Sequence, residues 1–467
     1  MAATAPDGHT HHRPPRPSRL TRRSLLGAAA GGTAAFAFRG LPAWARPVAA
    51  AAGVRRPDSL PFPHRRAGTE SVPQIKHVVV LMMENHSFDN VLGMVPFRVP
   101  GRRKVDGLTR RHGRLANFNP DPAGQRIFAA AAGSPCQLAG LPRQDWNASH
   151  QAWAGGANSG FVLASGPVAM RFWDDRDLPF TYSLVEQFPV GNRYFSSALA
   201  QTYPNRRFLF CGTASGLVAT TSQTFQIPAA NGTIFDRLDA HHVNWANYYQ
   251  QVPSGLIVPG FATVARRPRL RKIDQFYKDA AAGRLPAVSF LDPNYATTSE
   301  ENPQDIQVGE EFVAKVTKAL LHGPGWKHTA FFLTYDEHGG YYDHVPPPRA
   351  IPPDNLPPVQ PPGQPALTPG GFDRYGFRVP TVVVSPWARA DYVSNVVQDH
   401  TSITAFIEHK FNLPAMTFRD ANAHPMTDYF DFTAPVAPFA EPPRLAAAPG
   451  LAHGLGRCHA AGLNPPL

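Results

Sequence analysis

Four short apolar runs, at residues 75–83, 287–291, 330–335 and 381–384, stop abruptly at polar groups. The first ends at Glu84-Asn85, the second at Asp292, the third at Asp336-Glu337 and the fourth at Ser385. The runs are continuous and rich in β-branched residues rather than alternating, the pattern of strands covered on both faces. Between them lie segments of helical period, at 310–321 and 402–411. This alternation predicts an α/β fold, a central and largely parallel sheet flanked by helices. In such sheets ligands bind off the carboxyl ends of the strands, so the polar groups ending the runs are expected to converge on one edge.

That expected edge has chemistry. Glu84, Asn85, Asp336 and Glu337 would form a hard, oxygen-rich pocket suited to a divalent cation. The plainer alternative makes Glu84 a helix cap and Asp336-Glu337 a polar turn. A third stretch, Thr202-Tyr203-Pro204-Asn205-Arg206-Arg207, puts a hydroxyl just ahead of an apolar helical segment, with Tyr203 expected to be extended before the proline. Helix starts favour anions such as phosphate. Thr202 is therefore a candidate metal-activated nucleophile, and an ordinary N-cap is its alternative.

Composition narrows the setting. The chain has 467 residues, 43% apolar and 17% charged, enough for a sizeable core, and its 50 prolines and 38 glycines are spread among many loops. Residues 1–45 resemble a twin-arginine export signal: Arg22-Arg23 precede an apolar run, and Ala43-Trp44-Ala45 offers a cleavage site. The expected layout is a signal at 1–45, a linker at 46–70, a catalytic domain at 71–431 and a loosely structured tail at 432–467. Such a signal implies contact with the twin-arginine (Tat) machinery of a bacterium and a secreted, periplasmic or cell-wall-associated product. It also hints at a cofactor inserted before export. Without the signal's six Arg and one Asp, the formal charge falls from +11 to +6. That surface suits anionic substrates or transient membrane contact, and the absence of long basic tracts argues against nucleic acid. Three cysteines, Cys136, Cys211 and Cys458, leave one thiol over if two pair.

Six blocks carry a family resemblance: ENHSFDNVLG (84–93), TYPNRRFLFCGT (202–213), DIQVGEEFV (305–313), TYDEHGGYYDHVPPP (334–348), GFRVPTVVVSPWAR (376–389) and DHTSITAFIEHKF (399–411). They resemble the bacterial phospholipase C and acid phosphatase family of the alkaline-phosphatase-like superfamily. The resemblance implies Glu84, Asn85, Asp336 and Glu337 as ligands of a divalent metal (Ca, Mg or Mn). It also implies Thr202 as the nucleophile, passing through a phosphothreonine. Arg206 is a candidate phosphate clamp, with a structural ion pair as the alternative. His150 and His344 are the expected acid/base residues, ahead of His400, a second candidate substrate contact. His86, His338 and His409 read as surface or packing residues. Many relatives have a His-Pro pair where this chain has Asn302-Pro303, and Asn302 can bind a phosphate oxygen but cannot transfer a proton.

Trp153, Trp173, Tyr203 and Tyr341 are candidates for a choline-binding aromatic cage, with core packing as the alternative. Residues 346–369 read as a proline-rich surface loop near the site. The expected function is an exported, metal-dependent phosphoesterase, a phospholipase C cleaving the glycerol-side phosphodiester of phospholipids such as phosphatidylcholine. The alternatives are an acid phosphatase acting on monoesters and a non-catalytic phosphate- or lipid-binding protein. A sulfatase is disfavoured because Thr202 cannot become formylglycine.

Overall fold

The computed structural model describes residues 53–137 and 142–449. The expected signal and the end of the tail lie outside the described residues. An eight-stranded sheet organises the chain: β1 (His77–Met83), β2 (Val190–Gly191), β3 (Trp245–Tyr249), β4 (Leu270–Lys272), β5 (Val288–Asp292), β6 (Thr329–Tyr335), β7 (Thr381–Val384) and β8 (Val393–Ser394). Their order across the sheet is β4-β3-β5-β1-β6-β7-β2-β8. β1 lies at the centre, parallel to both neighbours, with Val78 opposite Val288 on one side and Met83 opposite Tyr335 on the other. Every residue of β6 is buried, as are all but the first of β1, which is why these runs are apolar without alternation.

Six helices matter for the site: α1 (Phe88–Leu92), α2 (Trp146–Trp153), α3 (Thr202–Cys211), α4 (Ile306–Leu321), α5 (His400–Phe411) and α6 (Phe418–Asn422). Two start earlier than the apolar period suggests, because polar residues open them. Asp305 caps α4 by accepting from the Gln307 N–H at 2.9 Å, and the Asp399 N–H ahead of α5 donates to Ser402 Oγ at 3.1 Å. α3 includes Tyr203, which was expected to be extended. Pro204 falls in the first turn, where a missing N–H costs nothing.

One strand runs against the others. β7 pairs antiparallel with both β6 and β2. Its end, Ser385, therefore lies where β6 begins, and Ser385 Oγ donates to the Thr329 carbonyl at 2.7 Å. The sequence expectation that all four runs end on one edge is corrected at this residue: β7 brings its beginning, next to Arg378, to the active edge instead.

The ends of the described chain are also better anchored than their composition suggests. Within the expected linker, Asn412 at the end of α5 accepts from the Phe62 N–H at 2.9 Å and donates to the carbonyls of Phe62, Arg65 and Arg66. In the expected loose tail, Phe439 packs on Phe188 at 4.8 Å between ring centres and its carbonyl accepts from Trp326 Nε1 at 3.0 Å. Through residue 449 the tail is irregular but docked. Cys136 is disulfide-bonded, and among the described residues Cys211 is a buried free thiol.

Candidate active site

β1 and β6 end side by side, so the turns that follow them meet. Asn85 takes a left-handed conformation (φ 66°), which Asn tolerates better than most residues, and its N–H donates to Asp336 Oδ1 at 3.1 Å. Gly339, also left-handed (φ 62°), lets the second turn press onto the first: an added Cβ would lie 1.8 Å from the Asn85 carbonyl oxygen. Its N–H holds Glu337 Oε2 at 2.8 Å. The two turns are thus locked together by a carboxylate, a backbone amide and a glycine.

Thr202 enters from α3. Its hydroxyl donates to Asn85 Oδ1 at 3.3 Å. No side chain caps α3; the Tyr203 N–H is given to Thr220 Oγ1 and Pro204 has none, so the Thr202 amide is left at the helix end beside its own hydroxyl. One turn further, Arg206 lies beneath. It donates to Asp336 Oδ2 at 3.0 Å and to the carbonyls of Met82 and Met83, and approaches Glu84 Oε1 at 3.5 Å. The geometry is that of the buried ion pair, and the guanidinium is spent on protein oxygens rather than presented as a phosphate clamp.

Electrostatics explain why that cation is there. Glu84, Asp336 and Glu337 are buried, and Glu301 lies half-buried against them. Burial raises the pKa of Glu84, which Arg206 only partly offsets, and burial together with Asp336 raises that of Glu337. Burial and Asp336 likewise push Glu301 up to about 7. The guanidinium reaches only Asp336 and Glu84 of these four carboxylates, so the pocket favours additional positive charge.

Among the described residues no three or more acidic, His or Cys side chains are already closed around a cation position. The donor set nonetheless fits one. Glu84 Oε2 and Glu337 Oε1 are buried without a hydrogen-bond partner, an expensive condition that a hard cation would relieve, and Asn85 Oδ1 adds a neutral oxygen to the donor set.

The histidines fall elsewhere. His344 is clamped between Asp89 (Nδ1 to Oδ2, 2.7 Å) and Asp106 (Nε2 to Oδ1, 3.2 Å). Burial disfavours its charge, but those carboxylates win and lift its pKa to about 10, so it is a structural imidazolium. His150 on α2 uses Nδ1 on the Trp146 carbonyl at 2.8 Å and stacks on that indole, while Nε2 faces Gly370 in the loop after residue 346. His400 is fully buried, with Nε2 on the Asp336 carbonyl at 2.6 Å and Nδ1 near Tyr194 Oη at 3.3 Å. It steadies the turn after β6 from behind. Burial lowers both rings to about 4. His344, His150 and His400, expected as acid/base and substrate-contacting residues, thus each engage protein groups in this structure.

His86 and His338 are buried, and His338 approaches Glu337 Oε2 at 3.1 Å. Trp173 and Tyr341 pack around His86, and Trp153 lies under Arg374 at 4.3 Å, so no four-residue aromatic cage forms. Asn302 does reach the site: with Asn85, Arg143, Gln144, Gln201 and Glu301 it lines a polar cavity of about 250 Å³. Its Nδ2 donates to Tyr341 Oη at 3.0 Å, and its Oδ1 is buried without a partner.

Sequence reasoning missed Glu301, although two adjacent acids before Asn302 were a signal. It also missed Arg378, fully buried, which pairs with Asp343 at 2.9 Å and Asp89 at 3.2 Å. An arginine entering an apolar strand gives little warning of that role.

A phosphoesterase family profile matches residues 75–414, a span that contains β1, α3, β6 and α5. The chain belongs to the phosphoesterase family. Among related phosphoesterases, non-specific phospholipase C1 of Arabidopsis thaliana is 31% identical over 402 residues, covering 79% of this chain and 72% of its own. Phospholipase C B of Mycobacterium tuberculosis is 30% identical over 497 residues, covering 92% and 90%. Phospholipase C A of the same organism is 28% identical, covering 81% and 82%. Among solved structures, an alkaline phosphatase superfamily protein from Vibrio parahaemolyticus overlays with a TM-score of 0.39 at 9% identity, covering 85% of this phosphoesterase and 76% of that chain.

Proposed function

We propose that this phosphoesterase is an exported, metal-dependent phospholipase C that hydrolyses the glycerol-side phosphodiester of phospholipids through Thr202. The observation that carries the reading is the Thr202 hydroxyl at the open end of α3, 3.3 Å from Asn85 Oδ1 and lining one cavity with Glu84, whose Oε2 is buried without a partner. The phospholipase C names of its relatives supply the substrate class.

Thr202 Oγ attacks phosphorus, its proton leaving to solvent or a site carboxylate, as the bond to the alcohol oxygen breaks and that oxygen takes up a proton. Water then cleaves the phosphothreonine and restores the hydroxyl. In this reading the α3 amide at Thr202 meets phosphate oxygens, and Asn302 lines the neighbouring polar cavity. Glu84, Asn85, Asp336 and Glu337 would hold a divalent cation, which would supply Lewis-acid stabilisation of phosphate charge. No histidine is assigned to the leaving group.

The test is the ratio of kcat/KM for a phosphocholine diester to that for a phosphate monoester, with and without chelator. A ratio well above one that chelation abolishes supports the proposal. A ratio well below one makes the protein a monoester phosphatase. No metal-dependent turnover of either returns the binding-protein alternative.

A further inference from the structure

A second cavity is lined by Thr202. Its volume is about 410 Å³, within the range of small-molecule sites. The buried Glu84, Thr202 and Arg206 line it with Glu301, so it reaches the candidate site. Its outer wall is apolar: Tyr203, Phe225, Val252, Leu256 and Ile257. Phe225, Val252 and Leu256 are 48%, 46% and 39% exposed, an unusual amount of apolar side chain to leave in water beside an acidic centre.

The wall is held in shape. Asp292, at the end of β5, accepts from the Ser254 N–H at 2.8 Å and from Asn247 Nδ2 at 2.6 Å, and its other oxygen takes Tyr295 Oη at 3.0 Å. The Asp292 carboxylate that ends the second apolar run therefore fixes the loop carrying Val252 and Leu256. Tyr203 meets Phe225 edge-on at 5.9 Å between ring centres. The groove is preformed.

We propose that this groove binds an alkyl or acyl chain of an amphiphilic phosphate ester, with Phe225, Val252 and Leu256 as chain-length specificity residues. The inference rests on the phosphoesterase reading for the position of the phosphate, and it adds where the apolar portion lies. One ester substituent thus faces the polar cavity of Asn302 and Gln144, while the other runs along the apolar groove. The charge pattern favours this occupant: anionic ester and its cation at the inner end, hydrocarbon at the outer.

The test measures binding, so it does not depend on turnover. Dissociation constants for ethyl phosphate and n-octyl phosphate, the latter kept below its micelle concentration, are compared by calorimetry on the full chain with divalent cation present. Each methylene fully removed from water is worth a factor of about 4, so six methylenes in a half-open groove should favour octyl by on the order of 100-fold. In Val252→Ser and Leu256→Ser that octyl-to-ethyl ratio should fall by about 3- to 10-fold each, and the ratio is insensitive to the fraction of protein folded. A wild-type ratio near one, or a ratio unchanged in both variants, overturns the inference. So does a loss in the variants of binding to phosphatidylcholine vesicles with the octyl ratio intact, which would make the patch a membrane contact.

Turnover of a short-chain diester, measured in parallel, separates the two readings. Turnover with a flat chain-length profile sinks the groove alone. A large, variant-sensitive octyl ratio without turnover of any ester sinks the catalytic reading alone.

Discussion

Replacing Arg206 with methionine separates a structural cation from a phosphate clamp. The guanidinium is 1% exposed and donates to Asp336, to the carbonyls of Met82 and Met83, and near Glu84. Removing one partner of a buried ion pair costs about 3–5 kcal/mol. Two carbonyls that lose a donor add about 1 kcal/mol, giving about 4–6 kcal/mol in all. At about 2.1 cal/mol/K per residue, the unfolding entropy of a domain this size is about 0.8 kcal/mol/K, so Tm of the chelated protein should fall by about 5–7 °C. Arg206 also competes with any bound cation for Glu84 and Asp336. Adding Ca, Mg or Mn should therefore raise the Tm of Arg206→Met by more than that of wild type. Differential scanning fluorimetry with and without chelator reads both quantities. An unchanged Tm with a raised KM for phosphate esters would refute this account and restore the clamp, and equal metal-induced shifts would refute the competition.

Thr202→Ala should lose at least about 10³-fold in kcat with an unchanged far-UV spectrum, while Thr202→Ser keeps measurable turnover; activity in Thr202→Ala would exclude the nucleophile. Gly339→Ala places a methyl 1.8 Å from the Asn85 carbonyl oxygen at φ 62°, so the two turns must separate. A displacement of about 1 Å costs roughly 100-fold in rate, and wild-type kcat/KM in this variant would show that the turns tolerate slack. His344, held near pKa 10 against about 6.5 when unfolded, binds its proton more tightly in the folded protein. Its stabilisation is complete below pH 6.5 and is lost as pH rises towards 10. Denaturant midpoints should fall across that window, and His344→Gln should flatten the fall.

The strands and the acidic ends of β1 and β6 were legible because burial on both faces forces an unbroken apolar run and the next polar residue marks its end. Thr202 was legible through the helix signal that follows it. Strand direction was not: the apolar, β-branched pattern of Thr381–Val384 carries no direction, and only pairing with β6 and β2 puts Ser385 at the far edge. The histidines were illegible for a different reason. An imidazole between two carboxylates and one exposed to substrate have the same sequence, and partners such as Asp106, 238 residues from His344, decide between them.

The stretch TYDEHGGYYDHVPPP shows how one motif can serve two centres. Asp336 and Glu337 belong to the candidate site, while Asp343 and His344, seven residues on, join Arg378, Asp89 and Asp106. Between them Gly339 and Gly340 both take positive φ, a reversal that side-chain-bearing residues rarely adopt. The second half is tied back to the first block, because Asp89 lies four residues after Asn85 and its carboxylate accepts from the His344 N–H at 2.8 Å. Arg378, whose carbonyl accepts from the Phe88 N–H at 2.9 Å, brings the start of β7 into the same brace. The imidazolium and guanidinium thus hold α1 and the turn after β6 in register while remaining engaged away from the acidic pocket. Fixed cations bind this part of the scaffold together, whereas Glu84 and Glu337 at the strand ends each retain a buried oxygen without a partner.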